Sequence, residues 1–397
     1  MERAAIVAAV RTPIGRFLGA LADLTAADLG VAATRAALER SRVSPSDVDE
    51  LIYGCARQAG GGPNVARQVL IRSGIPQERP AFTVNQACGS GLQSIILASE
   101  HIRAGKSRFV AAGGTESMSR VPYLLDRART GYRLGNAAVV DGMYRDGFLD
   151  PICGMLMGET AEKLADQYKI GREEQDRFAL ESQRRAAAAI RERRFDCEIV
   201  PVTVKGRKGE ERAVTADEHP RADATLEDLA KLPPVFREGG TVHAGNSSGI
   251  TDGASTLVLA AESAARERGL DVLAWVGESE VVGVDPAIMG IGPVPATRRL
   301  LERIKRALGD FDLIELNEAF AAQVLACDRE LHFDRSRLNV NGGAIALGHP
   351  IGCTGARIVT TLVHEMKRRK AARGLATLCV SGGLGIALEL NHGGSGT

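Results

Sequence analysis

Two rhythms of apolar and polar positions alternate along the chain. Short apolar runs bounded by turn residues read as strands at 4–10 (AAIVAAV), 50–54, 81–85, 108–113, 199–204 and 255–260. Further runs fall at 272–284, 312–316, 336–340, 375–380 and 384–390. Between them, apolar residues recur at helical spacing over 26–40, 64–73, 90–104, 158–168, 173–193, 296–308, 318–330 and 354–370. Strand–helix–strand alternation predicts an α/β class with sheets covered by helices. The first apolar run stops at Arg11. That is too short for a secretory or membrane-spanning segment.

The pattern repeats. VDELIYG (48–54) is similar to FDLIELN (311–317), ACGSGLQSII (87–96) to IGCTGARIV (351–359), and AAGGTESM (111–118) to CVSGGLGIA (379–387). A roughly constant offset for three elements in the same order predicts a duplication. The stretch from about 116 to 250 breaks the repeat and reads as an insertion in the first half. It holds a charged helix at 171–194, a Gly/Arg/Lys turn at 205–212 and a Pro-Pro break at 233–234. A charge-laced helix normally presents a solvated face.

Composition narrows the function. The chain has 397 residues, enough for two to three domains. Lys plus Arg is 50 and Asp plus Glu is 49, so the basic excess of a nucleic-acid binder is missing. Forty-five glycines against 4% aromatics imply an aliphatic core with close backbone approaches. The seven cysteines form no CxxC, and no HExxH accompanies them, so neither a disulfide framework nor a zinc site is expected. A reducing, cytoplasmic setting is the simplest expectation. The C-terminal NHGGSGT carries no recognised targeting address.

Four Gly-rich turns each offer a reactive side chain after an expected strand: NQACGSG (85–91), LNEAFAA (316–322), NGGAIALGHPIGCTG (341–355) and CVSGGLGIA (379–387). Cys88 is expected to end a strand and open a helix, where unpaired N–H groups favour a thiolate. Its other reading is a small buried hydrophobe. His349, in GHPIG, has the chemistry of a proton acceptor or oxyanion donor, or is an ordinary loop histidine. Cys379 ends a buried strand and is either a second acid/base or a core cysteine. Asn317 is either a helix N-cap or an amide that holds water or an oxyanion. His219 and His332 read as surface residues. GGLGIA does not fit GxGxxG, which removes a nicotinamide reading.

Together these motifs resemble the thiolase family, the acetyl-CoA C-acetyltransferases and 3-ketoacyl-CoA thiolases, from RTPIGRFLGAL (11–21) to the last strand. The resemblance implies a five-layered αβαβα core from two duplicated halves with an inserted loop domain. Its bounds here would be 1–118 with 249–270, 271–397, and 119–248 for the insertion. It implies Cys88 as nucleophile, His349 as its activator, Asn317 as holder of a catalytic water and Cys379 as second acid/base. The backbone N–H groups of Cys88 and Ser381 would form one oxyanion hole, with His349 and the Asn317 water forming the other. Ser381 stands where the family normally has glycine, so a demand for positive φ would strain it. Acyl-CoA and CoA are the implied substrates, with no separate cofactor, no metal, and neither nucleic acid nor membrane as partner. Met157, Arg221, Phe236, Ala244, Ser248, Ile250, Ala319 and Phe320 match CoA-contacting positions. Leu156 replaces a histidine of many short-chain members and Asp228 a serine near the adenine. Residues 127–147 resemble the arm that pairs dimers, which implies a homotetramer.

The implied reaction is reversible condensation of two acyl-CoA, or CoA-dependent thiolysis of a 3-ketoacyl-CoA, through acyl-Cys88. A longer-chain thiolase of fatty-acid degradation is the alternative within the family. Carrier-protein condensing enzymes typically have histidine in place of Asn317, and the lipid-transfer type differs at NEAF. A non-catalytic acyl-CoA binder and a cysteine hydrolase are the readings outside it.

Overall fold

The computed structural model describes residues 2–206 and 209–393. Arg207 and Lys208 of the 205–212 turn, and the final GSGT, lie outside the described residues. In the first half, strands β1 (Ala4–Arg11), β2 (Glu50–Gly54), β3 (Ala81–Val84), β4 (Phe109–Ser117) and β5 (Thr251–Ala261) accompany helices α1 (Ala26–Ser41), α2 (Val65–Arg72) and α3 (Ser90–Arg103). The region between β4 and β5 contributes α4 (Met157–Tyr168) and α5 (Arg172–Arg191). The second half contains β6 (Ala274–Gly283), α6 (Pro293–Ile304), β7 (Leu313–Leu316), α7 (Ala321–Leu331), α8 (Ile351–Arg369), β8 (Arg373–Val380) and β9 (Leu384–Asn391).

The duplication is written in the strand order. The first sheet runs β3-β2-β4-β5-β1, with β2 parallel to both β3 and β4, and β5 antiparallel to both β4 and β1. The second runs β7-β8-β9-β6, with β7 parallel to β8, and β9 antiparallel to both β8 and β6. The counterpart of β3 is the expected strand at 336–340, which is reduced to a single parallel bridge between Leu338 and Ile314. That correction has a local cause. The Asn339 side chain takes both main-chain groups of Leu316, replacing ladder bonds that a backbone partner would make. The third sequence match is also out of register, because the structural partner of β4 is β8 and the matched string straddles the turn after it.

The two sheets meet where Ala4–Ile6 pairs with Ala274–Val276, so their hydrogen bonding is continuous. Helices α1 and α2 cover one outer side, α6 and α7 the other, and α3 packs on α8 between the sheets. This gives five layers. Every residue of β1 is buried, as a strand covered on both faces requires. The central layer is tight because glycines let backbones touch. A Cβ on Gly114 would lie 1.9 Å from Gly352 O, and one on Gly355 would lie 2.1 Å from Leu92 N.

Strands β4 and β5 are neighbours, yet residues 118–250 separate them, whereas their counterparts β8 and β9 are joined through Ser381–Gly383. The long connection contains short strands Val202–Lys205 and Glu211–Val214, and α5 is solvated on one face only. Arg177–Glu173 and Arg185–Glu181 pairs line its outer side. Ala179, Leu180, Ser182, Gln183 and Ala186 are buried on the inner side. Arg11 anchors this region to β1 through buried ion pairs with Glu198 (2.5 Å) and Asp217 (2.6 Å).

Candidate active site

Cys88 sits in a short 3-10 turn, Ala87–Gly89, between β3 and α3, and does not open the helix itself as the sequence suggested. Ala87 has φ +44°, a left-handed conformation that costs a non-glycine residue free energy. The Ser90 hydroxyl donates to Ala87 O (2.7 Å) and accepts from Gln86 N (2.9 Å), while Asn85 Oδ1 accepts from Ala87 N (3.0 Å). These bonds hold the turn that turns Cys88 toward a cavity of about 500 Å³. His349, Cys379 and Ser381 line the same cavity, so the first and second halves both contribute to one site.

His349 is 7% exposed. Its Nδ1 lies 2.6 Å from Thr354 Oγ1, and that hydroxyl donates to Pro350 O at 2.9 Å. The hydroxyl proton is therefore spent, and the imidazole proton is assigned to Nδ1. Nε2 is left as a free lone pair and has no partner among the described residues. Burial, with Arg357 and Arg57 nearby, pushes His349 down to about 3, so the ring is neutral.

The cysteines correct the expected helix-end effect. Surrounding protein raises the Cys88 thiol above its ordinary value, although Arg57 and the backbone N–H groups of Ser381 and Cys88 oppose this. Desolvation therefore outweighs the local donors. Those two N–H groups nevertheless stand near the Cys88 sulfur. Cys379 is also held well above the usual thiol range, by burial and by the proximity of Cys88. Two thiols with raised values beside a neutral imidazole acceptor are a proton-transfer arrangement.

The turn after β8 resolves the concern about Ser381. Positive φ falls on Gly382 (+86°) and Gly383 (+80°), and Ser381 is not in the left-handed region. Serine is tolerated because its neighbours carry the unusual backbone. Asp150, 2% exposed, accepts from Gly382 N at 2.9 Å and from Ile152 N at 2.8 Å, tying this turn to the inserted region.

Asn317 is not a helix cap, because α7 begins at Ala321 with Phe320 before it. Its fully buried amide has no partner among the described residues on either Oδ1 or Nδ2. A buried amide with both ends unmet is a place for an ordered water. Glu318 beside it holds the turn, accepting from Ser182 Oγ (2.6 Å), Asn339 Nδ2 (2.9 Å) and Ile345 N (3.2 Å).

All eight positions matched by resemblance to CoA contacts line the cavity: Met157, Arg221, Phe236, Ala244, Ser248, Ile250, Ala319 and Phe320. Phe236 and Phe320 meet edge to face at 6.3 Å, and Gly158 leaves the room Phe236 needs. Leu156 lines the cavity at the start of α4. Asp228 does not. It is bonded to Thr225 and Lys231 at the surface. His219 is no plain surface residue. It lines the cavity and its Nδ1 donates to Ala346 O at 3.0 Å. His332 is exposed. Arg57, Tyr144, Ser247 and Met289 line the cavity without any sequence signal, since only the fold brings them there.

Comparison with known proteins gives the family. The family description "Thiolase, N-terminal domain" matches residues 4–263, and "Thiolase, C-terminal domain" matches residues 270–392. The chain belongs to the thiolase family. It is 52% identical to an acetyl-CoA acetyltransferase of Pseudomonas aeruginosa over 98% of this chain and 99% of that one. An acetyl-CoA acetyltransferase of Escherichia coli is also 52% identical, over 99% and 100%. Among solved structures, the Bacillus anthracis acetyl-CoA acetyltransferase superposes with TM-score 0.96 at 48% identity, covering 98% of this chain and 99% of that one. Human mitochondrial 3-ketoacyl-CoA thiolase in complex with CoA gives 0.95 at 44%, covering 99% and 98%.

Proposed function

We propose that the chain catalyses reversible acyl transfer between CoA thioesters: condensation of two acetyl-CoA to acetoacetyl-CoA, and thiolysis of 3-ketoacyl-CoA. The observation that carries this reading is the convergence of Cys88, Cys379 and a His349 with a free Nε2 on one cavity. Cys88 attacks the acyl carbonyl as its proton passes to Nε2. The N–H groups of Cys88 and Ser381 receive the developing oxyanion, a preorganised donor pair in a partly dry site. CoA leaves as its thiol, taking a proton from Cys379, and acyl-Cys88 remains. Cys379 then removes an α-proton from the second acyl-CoA. The protonated Nε2 of His349 and a water on Asn317 stabilise the enolate, which attacks the acyl group and releases Cys88.

Met157, Phe236, Ala244, Ser248, Ile250, Ala319 and Phe320 form the walls for the pantetheine arm, and Arg221 at the exposed mouth faces the phosphates. Residues 119–248 serve as the CoA-binding domain. Leu156 makes the acyl end apolar, which admits chains beyond two carbons. A non-catalytic binder would have no use for two cysteines and an unpartnered imidazole in one cavity. Among the described residues no helix is long and apolar enough to cross a membrane. Cytoplasmic turnover of acyl-CoA, as in fatty-acid metabolism, fits the reading.

The test is CoA-dependent loss of the acetoacetyl-CoA enolate absorbance. Cleavage supports the reading. Cleavage only of longer 3-ketoacyl-CoA moves the preference up in chain length. No cleavage of any of them contradicts thiolase chemistry.

A further inference from the structure

One charged group in the cavity has no part in the reaction above. Arg57, in the loop after β2, reaches the cavity wall with Cys88. Its main-chain N–H donates to Glu116 at 2.9 Å. Its guanidinium makes one hydrogen bond among the described residues, from an Nη to Gly147 O at 3.0 Å. The buried Nε–H has no partner among the described residues. A guanidinium carries five N–H donors and stays protonated in proteins, so most of its capacity is unspent. The buried Glu116 carboxylate feels the charge of this half-buried cation but is bonded to the backbone N–H groups of Ala56, Arg57 and Gly352, so the guanidinium keeps donors open to a further anion.

The surroundings narrow what that anion is. Arg57 stands at the reacting end of the cavity: Glu116, which takes its main-chain N–H, also takes the N–H of Gly352, three residues beyond His349. It packs on the backbone of Gly147, where a Cβ would stand 2.8 Å from its Nε. The same cavity is lined by the largely apolar side chains of Tyr144, Phe148, Leu156 and Ile351. The phosphates of CoA are separated from its thioester by the whole uncharged pantetheine arm, so they cannot lie here while the thioester is at Cys88. An apolar wall beside a free guanidinium suits methylenes that end in a carboxylate, which a guanidinium takes by a two-point fork.

We propose that the preferred acyl group carries a carboxylate at the end distal to the thioester, paired with Arg57. The preferred substrates are then 3-oxo-dicarboxylic acyl thioesters of CoA. This rests on the thiolase reading and specifies the substrate class for the same cavity.

The experiment compares kcat/KM for thiolysis of 3-oxohexanoyl-CoA and of 3-oxohexanedioyl-CoA, which differ by the distal carboxylate. The full-length protein should favour the carboxylated substrate by about 10- to 100-fold. In Arg57→Leu that ratio should fall to one or below, and Arg57→Lys should recover part of it. Equal rates in the parent protein overturn the proposal. So does a parallel fall on both substrates in Arg57→Leu, which would assign Arg57 to Cys88 ionisation. A change confined to KM for free CoA would assign it to the phosphates and overturn the proposal equally. Failure to cleave either substrate, or acetoacetyl-CoA, defeats instead the thiolase reading beneath it.

Discussion

At the residue scale, each polar group of the site is defined by what it lacks. Nε2 of His349 and both ends of the Asn317 amide are buried without partners among the described residues. A buried polar group that no protein atom pairs is costly in a merely structural site and useful in a reactive one. Cys379→Ser should preserve acylation of Cys88 but abolish condensation, since a serine hydroxyl is far too weak an acid to cycle as the α-proton base. Normal acetoacetyl-CoA synthesis by that variant would reduce Cys379 to a core residue. The histidine adds a pH prediction. Held down to about 3, His349 stays neutral across the working range. The acylation rate should therefore rise with pH as the thiols ionise more easily, with no step at the ordinary histidine value near 6.5. A stopped-flow profile with an inflection there would contradict the neutral ring assigned to His349. The same depression makes stability pH-dependent with a definite sign. The unfolded chain binds this proton first, so the contribution is full above about 6.5 and is lost as pH falls towards 3, at up to ~1.4 kcal/mol per pH unit. In urea unfolding, His349→Asn should lose less stability than the parent between pH 6 and 4.

At the scale of elements, the site depends on backbone proximity in the central layer. Gly114 of β4 faces Gly352 of α8, three residues beyond His349. Gly114→Ala should destabilise by about 1–3 kcal/mol or more, measured as a lower urea midpoint, and should depress turnover by displacing His349. An unchanged midpoint would mean that the layer yields easily. The strands and helices were legible because each carries its own period. Apolar runs such as 4–10 had to be strands covered on both faces, and α3 and α8 announced themselves as a repeated Gly-rich helix start. The elements that escaped depend on long-range partners. The run 336–340 has strand composition, but the Asn339 side chain replaces its ladder. Cys88 lies before α3 because Ser90 ties down a 3-10 turn. The candidate catalytic residues were legible through motif order, whereas Arg57 and His219 were not, since nothing local says which loop faces a cavity. The ionisation state of Cys88 was misread for a related reason: a sequence shows a helix start but not the protein that desolvates the thiol.

At the scale of the whole molecule, the two halves differ chiefly at one turn. Where the second half joins β8 to β9 through Ser381–Gly383, the first half interposes residues 118–250, which line much of the cavity. Part of this insertion projects a two-stranded ribbon, Tyr123–Leu124 with Val140–Asp141. Leu134 (98% exposed) and Val139 (57%) stand on the loop between its strands. Apolar side chains this exposed are expected to be covered by another copy. If this arm joins copies of the chain, replacing 126–139 with a short Gly-Ser turn should lower the mass read by light scattering with the catalytic cavity retained. An unchanged mass would remove the arm from assembly. The central claim is covalent: the acyl group passes through Cys88. The most direct measurement is mass spectrometry of the protein after incubation with acetoacetyl-CoA in the absence of free CoA. An acetyl adduct should map to the peptide containing Cys88, disappear on adding CoA, and be absent from Cys88→Ser. Turnover with no adduct, or an adduct that survives in Cys88→Ser, would contradict the account.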